Sequence, residues 1–101
     1  MIRGTTPDYI LTVNADLTGT TVYVTFKQLR MSVDIKDPPV TVSEGTSTIA
    51  IRLTQEQTLS LSEGRADIQV KYIASDGTVR ATDIQPVTVS RALLERVVTY
   101  G

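Results

Sequence analysis

The chain contains no cysteine and no histidine. The first absence excludes disulfides, thiolate metal sites and a thiol nucleophile; the second removes the commonest general base and the imidazole metal ligand. Aromatic residues make up only 5% of the sequence, which leaves aliphatic side chains to supply most of the core. No stretch approaches the roughly 18 consecutive apolar residues of a membrane helix, and residues 1–6 carry no apolar run after Arg3, so neither a membrane partner nor secretion by a signal peptide is expected. Charge of one sign is missing too. Ten basic side chains against eleven acidic leave a formal charge of −1, and Lys27, Arg30, Lys36, Arg52, Arg65, Lys71, Arg80 and Arg91 are scattered along the chain. A nucleic-acid partner, which needs a basic face to neutralise phosphates, is not expected.

What is present suits one small soluble domain over residues 1–101. No Pro/Gly/Ser-rich linker divides the chain, and 41% apolar content can supply a single core. Apolar residues recur every second position far more often than every third or fourth, the period of a half-buried strand. In residues 8–14, Tyr9, Leu11 and Val13 share a face. In residues 21–27, Val22, Val24 and Phe26 do so against Thr21, Tyr23, Thr25 and Lys27. Residues 28–30 turn the chain into Met31, Val33 and Ile35, which alternate with Ser32, Asp34 and Lys36 as a hairpin partner. Asp37, Pro38 and Pro39 stop that strand, because proline has no donor for a ladder.

Val40 and Val42 predict a short edge piece, Glu44 and Gly45 a turn, and Ile49, Ile51 and Leu53 one face of the next strand. Thr54 with Gln57 has capping-box spacing, which predicts a short helical turn near residues 54–61 seated by Leu59 or Leu61. Ala66, Ile68, Val70, Tyr72 and Ala74 then alternate with Asp67, Gln69, Lys71 and Ile73. Residues 75–78 make a tight turn, and residues 79–84 are expected to return as its partner. Pro86 either marks a bulge or moves the chain to another sheet before Val87 and Val89. The tail from Arg91 fits a short helix through Leu93, Leu94, Val97 and Val98, or equally a strand through Val97, Val98 and Tyr100. About seven short strands without a βαβ rhythm predict an all-β fold, an antiparallel sandwich or small barrel, with an Ig-like β-sandwich preferred as architecture.

The remaining chemistry is thin. Asp34 with Asp37, or Asp76 with Asp83, are candidate carboxylate pairs for glycoside hydrolysis, but Asp34 sits on the polar face of a strand, Asp37 precedes a proline and Asp76 has an ordinary turn role, so a solvated surface is the expected reading. Ser75 near Lys71 and Ser32 near Lys36 are candidate dyads; four residues along a strand span about 13 Å, too far for a hydrogen bond. Neither residues 14–18 nor residues 34–37 match an EF-hand, and Gly45, Gly64 and Gly77 stand alone at turns rather than in a phosphate-binding loop. No catalytic, metal or cofactor residue is assigned, and no enzyme is expected.

Tyr9 and Tyr72 fall on apolar faces and read as core. Tyr23 lies on the polar side of its strand and is the best aromatic candidate for an exposed contact. Ile73 is its counterpart on the Asp67, Gln69 and Lys71 face, and Thr82 and Ile84 extend the idea that this sheet is covered on both sides. With Leu94 and Val98 in the tail, these give Tyr23, Ile73, Leu94 and Val98 as candidate interface residues. A homo-oligomer with a further protein partner is the expectation.

Met1-Ile2-Arg3-Gly4-Thr5-Thr6-Pro7, then Leu53-Thr54-Gln55-Glu56-Gln57-Thr58-Leu59, Ile68-Gln69-Val70-Lys71-Tyr72, Ser75-Asp76-Gly77-Thr78 and Ala81-Thr82-Asp83-Ile84 resemble small proteins encoded in the tail-gene regions of Firmicutes phages and prophages. The β pattern is also similar to the N-terminal domain of baseplate upper proteins. The resemblance covers nearly the whole chain, and its motifs are structural, with no catalytic residues to transfer. It implies a virion structural module, tail or baseplate associated, working in the host cytoplasm during assembly and then in the virion. Asp37-Pro38-Pro39 departs from that pattern. The alternative is a stand-alone β-sandwich that recognises a carbohydrate or a protein.

Overall fold

The computed structural model describes residues 1–74, 76–94 and 97–98. In chain order the elements are β1 (Asp8–Val13), β2 (Val22–Gln28), β3 (Met31–Lys36), β4 (Val40–Ser43), β5 (Thr46–Arg52), α1 (Gln55–Leu59), β6 (Gly64–Ile73), β7 (Val79–Ala81) and β8 (Gln85–Val89). The strands form two antiparallel sheets. The small one has the order β1-β5-β4; the large one has the order β3-β2-β6-β7, with β8 also paired to β6.

The alternation seen in the sequence builds the core directly. Val13, Ile49 and Ile51 from the small sheet meet Val22, Val24, Phe26, Val33, Ala66, Ile68, Val70 and Val89 from the large one, all buried. The Tyr9 ring lies across the gap against Phe26, centroids 5.6 Å apart at 53°, and burial raises the Tyr9 pKa. Each of these large side chains contributes about 1.5–3 kcal/mol on leaving water. The result is an all-β sandwich, and the Ig-like description extends no further than that architecture. β2 sits between β3 and β6, whereas in immunoglobulin constant domains the second strand belongs to the other sheet.

The short helix forms as its capping box predicts. Thr54 Oγ1 accepts from Gln57 N–H at 3.1 Å, and the Gln57 side chain returns a bond to Thr54 N–H at 2.8 Å. Leu61 and Thr58, both fully buried, seat it, while Leu59 is half-buried. An N-terminal strap holds its far end. Met1 to Arg3 runs along β8 through a parallel bridge between Ile2 and Ser90. From there the Arg3 guanidinium donates to the carbonyls of Leu61 and Leu59 at 2.5 and 2.9 Å, which helix termini leave without intrahelical partners. Thr58 Oγ1, inside the helix, accepts from Gly4 N–H and donates to Thr5 O, each at 2.9 Å.

Two expectations need correction. The return strand after the 75–78 turn does not run to residue 84: Ala81 pairs with Lys71 and Gln85 with Ile68, so residues 82–84 stand against only residues 69 and 70. That extra residue is a β-bulge, and it splits one expected strand into β7 and β8. Thr82 fixes it, donating its N–H to Val70 O at 2.9 Å while its hydroxyl accepts from Val70 N–H at 3.1 Å. Of the two readings of Pro86 the bulge holds, although Pro86 itself lies within β8, opposite Asp67. In the tail, residues 91–94 and 97–98 carry neither helix nor strand, and Tyr100 lies outside the described residues. Val98 is instead gripped at its backbone by Gln55, whose amide donates to Val98 O at 2.7 Å and accepts from Val98 N–H at 2.8 Å.

Candidate interaction surface

Side chains alternate across a strand, so whatever is not core on β2, β3 and β6 points to the outer face of the large sheet. The registers order that face into rows. Lys36, Tyr23, Lys71 and Ala81 lie side by side on four strands, followed by Asp34, Thr25 and Gln69, then Ser32, Lys27 and Asp67. The middle row is fixed by hydrogen bonds from Thr25 Oγ1 to Asp34 at 2.7 Å and from the Gln69 amide to Thr82 O at 2.8 Å. All the lysines of the chain, Lys27, Lys36 and Lys71, stand on this one face.

Apolar residues mark its two ends. Ile73 pairs with Val79 across the β6–β7 hairpin, and the two are 40% and 56% exposed. With half-buried Tyr23 they border an open depression of about 330 Å³. At the opposite end, Leu29 and Ile84 flank a second depression of about 250 Å³ beside Thr25, Lys27, Asp67 and Gln69. Leu29 sits at the β2–β3 turn with φ +49° and is 93% exposed, an uncommon backbone conformation for a bulky side chain.

The fold therefore gathers Tyr23 and Ile73 on one face and leaves Leu94 and Val98 elsewhere. Val98 is bound to Gln55 of α1, and the Leu94 carbonyl lies beside Gly4, near the other end of β6, which is about 30 Å long at the usual strand rise. Leu94 and Val98 are 53% and 44% exposed. Sequence reasoning missed Leu29, hidden in a segment read as a turn, and Val79, whose partner Ile73 is set by the hairpin register.

Three of the four carboxylates weighed for catalysis, Asp34, Asp37 and Asp76, serve the backbone and side chains around them. Asp37 accepts from Val22 N–H at 3.2 Å. Asp76 accepts from Thr78 N–H at 2.9 Å, and hydrogen bonds from Thr78 hold its carboxyl below the usual value. Asp34 is held by Thr25. Among the described residues no group of acidic side chains is arranged to hold a metal ion, and no helix is long and apolar enough to cross a membrane. Comparison with protein families, curated proteins and solved structures finds no match to the chain.

Proposed function

We propose that this chain is a non-enzymatic structural module that works through protein–protein contacts, with the outer face of the large sheet as its contact surface and a second copy of the chain as its first partner. The observation that carries this reading is the exposure of Leu29, Ile73, Val79 and Ile84 at the two ends of one sheet face. Leu29 adds weight. Holding a residue of this kind in the left-handed region costs about 1–2 kcal/mol, and an almost fully exposed side chain offsets none of it by packing within the monomer. A contact with a partner accounts for both features.

The wider setting, a phage or prophage tail or baseplate, with docking to a larger tail component and residence in the virion, is proposed on the sequence resemblance alone. It is tested by the neighbouring genes: flanking genes for tail-fibre, tape-measure or lysis proteins would support it, and a neighbourhood of unrelated metabolic genes would remove it. The contact surface is tested by sedimentation of wild type and of the double variant Ile73→Asp, Val79→Asp. The wild type is expected to gain mass with concentration above the 11.0 kDa of one chain, and the variant to stay at one chain. Equal behaviour of the two removes the proposal.

A second reading is favoured by the Lys36–Tyr23–Lys71 row, in which a ring stands between two cations. That arrangement suits an anionic saccharide stacked on Tyr23. A glycan array with Tyr23→Ala as control separates it from the first reading.

A further inference from the structure

The free edge of β1 offers a different kind of site. Leu53 N–H donates to Pro7 O at 3.1 Å, and the register continues as Tyr9 with Ile51, Leu11 with Ile49 and Val13 with Ser47. Hydrogen-bonded and non-hydrogen-bonded pairs alternate in an antiparallel ladder, so these are the positions whose backbone faces β5. Ala50 agrees in phase, because its N–H points the other way, to Pro39 O at 3.1 Å. Asp8, Ile10 and Thr12 therefore turn their N–H and C=O groups outward, where β1 has no neighbouring strand among the described residues.

A groove of about 470 Å³ runs along that edge past residues 10–14. Ile68 and Val70 line it from the large sheet, and Thr82, Asp83 and Gln85 form its far side. The bulge creates this opening: between Ala81 and Gln85 the margin of the large sheet is interrupted, and the core residues of β6 border the gap. Outward donors and acceptors repeating at every second residue, about 6.7 Å apart, match an extended peptide and not a saccharide or a helix. Asp83 is the one charged residue lining the groove among the described residues, and it makes no ion pair with them.

We infer that the β1 edge is a strand-acceptor site whose occupant is an extended segment of a partner protein, apolar at alternate positions and carrying a lysine or arginine opposite Asp83. Its alternate side chains enter the groove towards Ile68 and Val70 while its backbone extends the small sheet. The groove touches the outer face of the large sheet at Gln69 and Thr82 but includes none of Leu29, Ile73, Val79 and Ile84, so either surface can fail without the other.

The test uses a displayed library of random peptides about nine residues long, enough to span β1 at about 3.3 Å per residue. Recovered peptides are expected to alternate apolar and polar residues and to carry a basic one. Added to the wild-type protein, they should slow amide exchange at Ile10 and Thr12 by about tenfold or more, leaving Tyr9 and Leu11 unchanged. Thr12→Pro deletes an outward N–H without removing a β1–β5 hydrogen bond, and should weaken binding by about tenfold or more. Asp83→Asn should weaken it by about two- to fivefold at low salt. Ile73→Asp with Val79→Asp should bind the peptides as wild type does, which separates this site from the contact face. Should Thr12→Pro fail to fold, the exchange measurement on the wild type decides alone. The proposal is overturned if no such peptide is recovered, if exchange at Ile10 and Thr12 is unchanged, or if a folded Thr12→Pro binds normally. Concentration-dependent protection of these amides in the protein alone also overturns it, by assigning the edge to a second copy.

Discussion

Thr58→Val should destabilise the protein by about 1–3 kcal/mol, the usual cost of stranding buried hydrogen-bonding partners. Thr58 is fully buried, and its hydroxyl accepts from Gly4 N–H and donates to Thr5 O, with Gln55 O at 3.2 Å as a competing acceptor. Valine has nearly the same shape, so the substitution opens no cavity; it leaves Gly4 N–H and Thr5 C=O facing a methyl group. Against a total stability of about 5–15 kcal/mol for a domain of this size, the loss is large. At about 4–8 °C per kcal/mol, a 2 kcal/mol loss lowers Tm by about 8–16 °C. Thr58→Ser is the control, since it keeps the hydroxyl and gives up a methyl worth about 0.8 kcal/mol. Urea unfolding followed by circular dichroism gives both values, and amide exchange at Gly4 should rise in the valine variant alone. A valine variant as stable as wild type, or more stable than the serine variant, refutes the claim that this hydroxyl ties the N-terminal strap to α1.

Leu29→Asn should stabilise the isolated chain by about 1 kcal/mol in urea unfolding, because asparagine tolerates the left-handed region, and should weaken self-association in sedimentation; a loss of stability contradicts the strain argument. The urea midpoint should be level between about pH 5 and 7, where no side chain in this histidine-free sequence has its ordinary pKa. The hydrogen bond from Arg52 lowers the Asp8 pKa, as hydrogen bonds from Thr18 and Thr78 do for Asp16 and Asp76. Their contribution is present above the unfolded value of about 4 and lost as pH falls through the folded values. Burial raises the Tyr9 pKa, so its contribution holds below about pH 10 and is lost as pH rises further. A midpoint that shifts between pH 5 and 7 contradicts this assignment.

Where one local rule decides, the sequence is legible. Val22, Val24 and Phe26 had one dry side available to them, and Thr54 with Gln57 left the helix start little choice. The bulge was harder, because Thr82 reads as an ordinary strand residue until its hydroxyl is seen to accept from Val70 N–H. Arg3 was opaque for a different reason: its acceptors are 58 and 56 residues further along the chain, a distance no periodicity reports. For the contact face, alternation placed Tyr23 and Ile73 on the outward side of their strands. Neighbouring strands and their register, which brought in Val79 and separated Leu94 and Val98, follow only from the folded topology. The positive φ at Leu29 carried no glycine or asparagine to announce it.

The proposed meeting of two copies of the chain through the outer face of the large sheet can be probed at its lysines. Lys27, Lys36 and Lys71 are all on it, so amine-reactive cross-linking of a mixture of ¹⁴N- and ¹⁵N-labelled protein reports on that face directly. Intermolecular cross-links joining these lysines, lost in the Ile73→Asp, Val79→Asp variant, are the expected result. A mixture that yields only intramolecular links at these lysines, at concentrations where the protein sediments as an oligomer, contradicts it.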